Sequence, residues 1–180
     1  MSAEKIPGGP TQDEVLAIDL FKLGIRPGDV ILDLGCGTGK VSIAAARAAH
    51  HVVAIDRRAE AIRFAKREAK RSAIDNIEFR TIEGAKFLGM DNRIFDCAFV
   101  GGSRGLSGFL PALSQRVRRT IVVNAVLLST INTTVSLMQD LGIFREILHV
   151  QVSRSQDIGG SLMFRPIDPV YIIVGNGGTC

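Results

Sequence analysis

Apolar positions recur along this chain in two alternating rhythms. Residues 30–34, 52–55, 95–100 and 118–125 are short, nearly continuous aliphatic runs, the composition of strands buried on both faces of a parallel sheet. Residues 77–82 alternate apolar and polar, the pattern of a half-buried strand. Between these runs the period lengthens to that of a helix. Residues 40–49 are rich in Ala, Ile and Val. Residues 57–71 turn Ala59, Ala61, Ile62, Ala65 and Ala69 inward, against a basic face of Arg63, Lys66, Arg67, Lys70 and Arg71. A first helix is expected to open on a Thr11-Gln12-Asp13-Glu14 capping box, with Thr11 as N-cap, and to bury Val15, Ile18, Leu20 and Phe21 on its way to Leu23. Ser107 is expected to cap a short helix reaching Leu113, with Pro111 in its first turn, and Gly142 to close a helix over about residues 129–141. Strands and helices alternating in this order predict an α/β fold built on a parallel sheet.

The two ends differ in style. Pro7, Gly8, Gly9 and Pro10 make residues 1–10 an extended segment. Residues 144–153 alternate as a strand, 154–160 read as a polar, glycine-containing connection, and 161–164 as a short strand. Pro166 and Pro169 frame a turn into a last strand over 170–174. Residues 143–180 therefore form a distal arm on a single domain spanning 1–180, with no internal repeat or low-complexity block.

Composition narrows the class. A 180-residue chain that is 46% hydrophobic and 22% charged buries a core and is not disordered. It has no run of 18 apolar residues and no h-region after Met1, so no membrane is expected and a cytoplasmic location is. Cys36, Cys97 and Cys180 are far apart, with no C-x-x-C or Cys/His cluster, so they should be reduced, and no protein-bound metal is expected. A net charge of +4 suits an acidic partner without choosing between nucleic acid and a small polyanion.

The chemistry concentrates where the first aliphatic run ends. Asp33 is followed by Gly35-Cys36-Gly37-Thr38-Gly39 and then a helix, which places a ligand at a helix N-terminus beyond a strand's carboxyl end. Lys40 stands where the dinucleotide fingerprint G-x-G-x-x-G continues, and the Walker A spacing is absent. Asp56 closes the second aliphatic run, where a carboxylate can accept from two ribose hydroxyls. A different nucleotide loop, or a tight turn that merely caps a helix, remains open on these residues alone.

Asp33 with Gly35-Cys36-Gly37-Thr38-Gly39 resembles the first motif of the class I S-adenosylmethionine-dependent methyltransferases. The resemblance implies a Rossmann-like, seven-stranded, mostly parallel sheet with an antiparallel last strand and helices on both faces. It implies S-adenosyl-L-methionine across the glycine turn, with Asp56 on its ribose, Gly84 and Ala85 beside its adenine and the Thr11 hydroxyl toward its carboxylate. Base and amide N-methyltransferases carry Asn or Asp before Pro-Pro-Tyr or Pro-Pro-Phe after the fourth strand; Val100-Gly101-Gly102-Ser103 stands here and disfavours an exocyclic amine as acceptor.

Further segments sharpen the likeness: Pro10-Thr11, Ala54-Ile55-Asp56-Arg57, Val100-Gly101-Gly102-Ser103, Asn124-Ala125-Val126-Leu127-Leu128, Val152-Ser153-Arg154 and Asp168-Pro169-Val170. Together they resemble the CbiT-type decarboxylating precorrin methyltransferases over nearly the whole chain. That family resemblance implies methylation of carbon 15 of cobalt-precorrin-6B, or of metal-free precorrin-6B, with loss of the ring C acetate carboxylate, in cobalamin biosynthesis. It also implies a homotetramer assembled through the distal strands. A polycarboxylate tetrapyrrole needs forked cations, so Arg104 leads the substrate candidates, followed by Arg154 and Arg165. Gly102, Ser103 and Asn124 join them at the strand ends; no residue stands out as a catalytic acid or base. His50, His51 and His149 have no visible acid partner and read as structural or exposed. Two other readings are an RNA methyltransferase, motivated by the basic balance but opposed by the absence of Trp and a single Tyr, and a non-catalytic cofactor-binding scaffold.

Overall fold

The computed structural model describes residues 9–102 and 104–178. The elements follow in the order α1 (Asp13–Leu23), β1 (Val30–Leu34), α2 (Lys40–Ala46), β2 (His51–Asp56), α3 (Ala59–Arg71), β3 (Ile77–Thr81), α4 (Gly84–Met90) and β4 (Phe95–Val100). The chain continues with α5 (Leu106–Ser114), β5 (Val117–Ala125), α6 (Leu128–Asp140), β6 (Phe144–Val150), β7 (Ser153–Ile158), β8 (Ser161–Pro166) and β9 (Val170–Asn176). Seven strands form one sheet in the order β3-β2-β1-β4-β5-β9-β6, and β7 pairs with β8 in a separate hairpin. Only β9 opposes its neighbours, pairing antiparallel with β5 and β6. This is the mostly parallel, seven-stranded fold that the resemblance to class I methyltransferases implies.

Successive residues of the central strands serve opposite faces, so a run without polar gaps fills two cores. Leu32, Leu34, Val53 and Ile55 pack with Phe87, Leu110, Leu113 and Met138 under α4, α5 and α6. Ile31, Val52, Cys97, Phe99 and Val122 pack with Val15, Leu23, Val41 and Ala45 of α1 and α2. Strand order runs outward from β1 in both directions, to β2 and β3 on one side and to β4 and β5 on the other. The crevice between the ends of β1 and β4 is therefore a topological switch point, where open α/β sheets bind ligands.

Several local expectations need correction. Gln12, not Thr11, is the N-cap of α1 and makes no side-chain cap bond. The capping box fails because its acid is diverted: Arg154 holds both oxygens of Glu14, at 3.0 and 2.5 Å. The buried positions of α1 are Val15, Asp19 and Leu23, whereas Phe21 is 79% exposed. Gly105, in the left-handed region at φ 74°, is the N-cap of α5 in place of Ser107, so the helix starts at Leu106 and Pro111 lies inside it rather than in its first turn. Its missing N–H costs the helix one bond, to the Ser107 carbonyl.

Helix α4 has no counterpart in the sequence reading. It is seven residues long and holds two glycines, and it forms because Phe87 and Leu88 are buried. The strand expected over 144–153 ends at Val150, and the polar connection after it is strand β7. Gly159 and Gly160, at φ 61° and 84°, turn β7 into β8, as a two-residue hairpin loop with both centres left-handed requires. Every residue of β7 and β8 is exposed. By contrast Gly142, at φ 68°, closes α6 as expected, with Ile143 N–H donating to the Met138 carbonyl at 2.9 Å. Most of the extended segment expected over 1–10, together with Ser103 and Cys180, lies outside the described residues.

Candidate functional site

A cleft of about 500 Å³ opens over the carboxyl ends of β1, β2 and β4. Its floor is the glycine turn, and the three glycines do different work. Gly35, Gly37 and Gly39 all have positive φ, at 78°, 54° and 78°. A Cβ on Gly35 would lie 3.0 Å from the Gly102 nitrogen, and one on Gly39 only 2.7 Å from Cβ of Ala65 in α3. These two glycines let backbones and helices close up. Around Gly37 the nearest atom is the Arg58 guanidinium at 3.8 Å, so this position keeps room for a ligand. The turn is pinned to β2 because Gly35 and Cys36 N–H both donate to the Ile55 carbonyl, at 2.8 and 2.9 Å. Burial, reinforced by Asp33 and Asp56, pushes the Cys36 thiol pKa far up, so it stays protonated.

Asp56 projects from the end of β2 with both oxygens engaged. One accepts from the Arg58 N–H at 2.9 Å and from Arg58 Nε at 3.0 Å; the other accepts from Arg58 Nη2 at 3.0 Å and from Gly37 N–H at 3.1 Å. Burial raises its pKa, but Arg58 and the two backbone donors outweigh burial and hold it below the usual carboxylate range. The same turn delays α3 to Ala59, two residues after the expected start. Asp33 lies beneath the glycines, 1% exposed, where one oxygen accepts from the Ser42 hydroxyl and the other has no partner. Burial drives its pKa from 3.8 to about 7.

Lys40 closes the remaining side. Its ammonium donates to the Thr11 carbonyl at 2.6 Å and pairs with Asp13 at 2.7 Å, which draws the chain ahead of α1 over the cleft. The structure gathers Thr11, Gly35, Cys36, Gly37, Thr38, Asp56, Gly84, Gly102 and Arg104 around this one cavity. Asp33, Gly39 and Ala85 support its wall without lining it. Asn124 donates to Asp19 at 2.7 Å instead of facing the cleft, and Arg154 is tied to Glu14 on α1. Arg165 lies in the hairpin, donating to Gln156 at 3.3 Å. His51 does have an acid neighbour, Glu78, at 3.9 Å, and His149 stacks on Tyr171 with ring centres 4.4 Å apart.

The geometry is that of a nucleotide-type crevice, and comparison with known proteins narrows it. The sequence profile described as a precorrin methyltransferase domain matches residues 6–175. The chain belongs to that family. Among its precorrin methyltransferase relatives, a Methanosarcina acetivorans protein named "Probable cobalt-precorrin-6B C(15)-methyltransferase (decarboxylating)" is 45% identical over 174 residues, covering 94% of this chain and 95% of the relative. The crystal structure of a precorrin-8W decarboxylase from Methanobacterium thermoautotrophicum superposes with a TM-score of 0.90 at 29% identity, covering 94% of this chain and 92% of the other. A precorrin-6Y C5,15-methyltransferase from Geobacter metallireducens gives 0.85 at 30% identity, covering 98% and 94%.

Sequence reasoning missed three residues of this precorrin methyltransferase site. Arg58 follows Asp56 by two positions, and that spacing alone was a signal for a carboxylate fork. Lys40 was noted only for breaking a dinucleotide fingerprint. Asp19 is fully buried beside Asn124, at a position where apolar periodicity offers no hint of an acid.

Proposed function

We propose that this protein transfers a methyl group from S-adenosyl-L-methionine to carbon 15 of cobalt-precorrin-6B, or its metal-free form, and removes the ring C acetate carboxylate. The observation that carries this reading is the switch-point cleft itself, floored by three left-handed glycines and opening toward Gly102 and Arg104. The residues fit the cofactor. The cleft has the size of a small-molecule site, and Gly37 leaves its backbone approachable. S-adenosylmethionine supplies an activated methyl group on a sulfonium.

The chain's own residues position and desolvate. Asp56 takes the two ribose hydroxyls, for which Arg58 must yield at least one carboxylate oxygen. Gly84 and Ala85, at the start of α4, present backbone to the adenine, and the Thr11 hydroxyl faces the cofactor carboxylate. Methyl transfer is an in-line displacement at the methyl carbon, in which a meso carbon already nucleophilic through ring conjugation attacks and the thioether sulfur leaves, so orientation and exclusion of water matter more than a strong base. Arg104, with Gly102 and Ser103, receives ring carboxylates on the acceptor side. Val126, Leu127 and Leu128 are exposed just beyond β5 and offer the macrocycle an apolar shelf. In decarboxylation the bond to the carboxyl carbon breaks, carbon dioxide leaves, and the electron pair left on the exocyclic carbon takes up a proton. An apolar wall against the departing carboxylate destabilises its charged form and assists that step.

In our reading the whole chain acts as one cytoplasmic catalytic domain. It assembles as a homotetramer through the distal strands, where the hairpin exposes Ile158, Leu162, Met163 and Phe164. Light scattering would show a species four times the chain mass. Incubation with cobalt-loaded or metal-free precorrin-6B and cofactor, followed by mass spectrometry, tests the activity. Gain of one methyl with loss of one carbon dioxide is expected. Methylation with the carboxylate retained removes the decarboxylation, and no methylation of either ring refutes the assignment.

A further inference from the structure

Where β2 meets the cleft, a charge pair has the geometry of a binding site that is already filled. A carboxylate offers about four lone-pair positions, and at Asp56 each has a donor. Oδ1 accepts from the Arg58 backbone N–H at 2.9 Å and from Arg58 Nε at 3.0 Å. Oδ2 accepts from Arg58 Nη2 at 3.0 Å and from the Gly37 N–H at 3.1 Å.

These donors divide into two kinds. The Gly37 and Arg58 backbone N–H groups belong to the glycine turn and to the N-cap of α3, so they hold the carboxylate in place whatever the Arg58 side chain does. Nε and Nη2 present two N–H groups side by side, one to each oxygen, as a forked guanidinium does. A vicinal diol can replace that fork, because its two hydroxyls sit on adjacent carbons and can each donate to one oxygen of the same carboxylate. The fork also stands in a ligand's way. The Asp56 side chain is only 4% exposed against 27% for Arg58, and both residues line the cavity with Gly37. The nearest atom to a Cβ built on Gly37 is Arg58 Nη2, so the guanidinium lies above the glycine that keeps room for a ligand. Glu60, in the first turn of α3, also attracts Arg58, so a displaced guanidinium keeps an acid near it.

We infer that the Arg58 side chain is a tethered competitor of the ribose diol. It occupies Asp56 before a ligand binds, leaves both oxygens when a nucleoside with two ribose hydroxyls enters, and returns as that ligand departs. The inference rests on the assignment of S-adenosylmethionine to the cleft. Arg58 thereby sets how much the diol contributes to affinity. Every ligand that uses Asp56 must first break the fork, and only the fraction of protein with the fork open is competent to bind it. Affinity for the methyl donor and for its thioether product is lowered alike, and the returning guanidinium hastens product release.

The test is a cycle between this side chain and the ligand's hydroxyls. Calorimetry at about pH 8.5, where Asp56 is ionised with or without its partner, compares S-adenosylhomocysteine with its analogue lacking both ribose hydroxyls. Each ligand is titrated into wild type and into R58M, which keeps an unbranched stem and removes the fork. The diol should contribute about threefold to tenfold more to affinity in R58M. S-adenosylhomocysteine should also leave R58M more slowly by a similar factor in stopped flow. A smaller contribution in R58M means that Arg58 helps to hold the ribose, and an equal one means that it never leaves; either overturns the inference. An unchanged dissociation rate overturns the claim on product release. In wild type, nitrogen NMR of arginine side chains should show the Arg58 Nε–H protected from exchange without ligand and unprotected at saturation with S-adenosylhomocysteine. Protection that survives saturation overturns the inference whether or not the variant folds. When wild type binds S-adenosylhomocysteine and the coupling has the wrong sign, the cofactor assignment stands and only the competition falls. Failure of wild type to bind it overturns both.

Discussion

Substituting Ala for Gly39 tests whether the glycine turn and α3 are one packed unit. Gly39 has φ 78°, where an L side chain costs about 1–2 kcal/mol. The new Cβ would also lie 2.7 Å from Cβ of Ala65 and 3.2 Å from its Cα, and forcing a methyl into a filled interior costs about 1–3 kcal/mol. G39A should therefore lose about 2–5 kcal/mol, a large share of the stability of an ordinary domain. A65G costs about 1 kcal/mol in helix propensity plus about 0.8 kcal/mol for the lost buried methyl, but it opens space for the intruding group. In G39A/A65G the backbone strain and the 3.2 Å approach to the Cα persist but the 2.7 Å collision is gone, so the two substitutions should couple favourably by about 1–2 kcal/mol. Urea unfolding of all four proteins, followed by circular dichroism, gives that coupling directly. If the losses add to within about 0.5 kcal/mol, α3 yields freely and the packing role assigned to Gly39 is wrong.

Asp56→Ala should weaken binding of S-adenosylhomocysteine by about 1–3 kcal/mol, because ribose hydroxyls lose their acceptor; unchanged affinity in calorimetry would refute the ribose contact. Lys40→Met should raise the cofactor Kd by about tenfold, since the Thr11 carbonyl loses a charged donor, and hydrogen exchange at residues 13–16 should quicken; neither change would mean that the tie is idle. Asp19 and Asp33, raised from 3.8 to about 7, bind protons in the folded state that the unfolded chain releases, so stability should fall as pH rises from about 4 to 7. One isolated carboxyl shifted this far costs about 4 kcal/mol above its folded pKa, and D19N should flatten the decline in urea midpoints over that window. The Cys36 thiol, buried and pushed far up, should resist iodoacetamide in the folded protein and react on unfolding; rapid modification under native conditions would show that the turn opens.

The sequence made the centre of this molecule legible and left its margins obscure, for physical reasons. The runs that became β1, β2, β4 and β5 are buried on both sides, so burial leaves a dense aliphatic signal, and Asp33, the glycines and Asp56 punctuate it at the strand ends. Helix α4 was unreadable because its seven residues include two glycines, and tertiary burial of Phe87 and Leu88 overrides their poor propensity. The hairpin of β7 and β8 has no buried face in the single chain; β8 showed only as a short strand over 161–164, and β7 read as a polar connection. In α1 the apolar pattern pointed to Phe21, while the structure turns Asp19 inward and leaves Phe21 in solvent. Hydrophobic periodicity cannot see an acid whose burial is offset by an amide 105 positions away. Arg154 misled for the same reason, because its partner Glu14 lies 140 positions distant.

The meeting of Gly35 with Gly102 has a mechanical consequence. Where two main chains lie this close, no intervening side chain can rotate to take up a displacement, so the donor half and the acceptor half of the cleft share a single tolerance. On the proposed reading, the spacing between the two reactants then depends on how closely these two glycines approach.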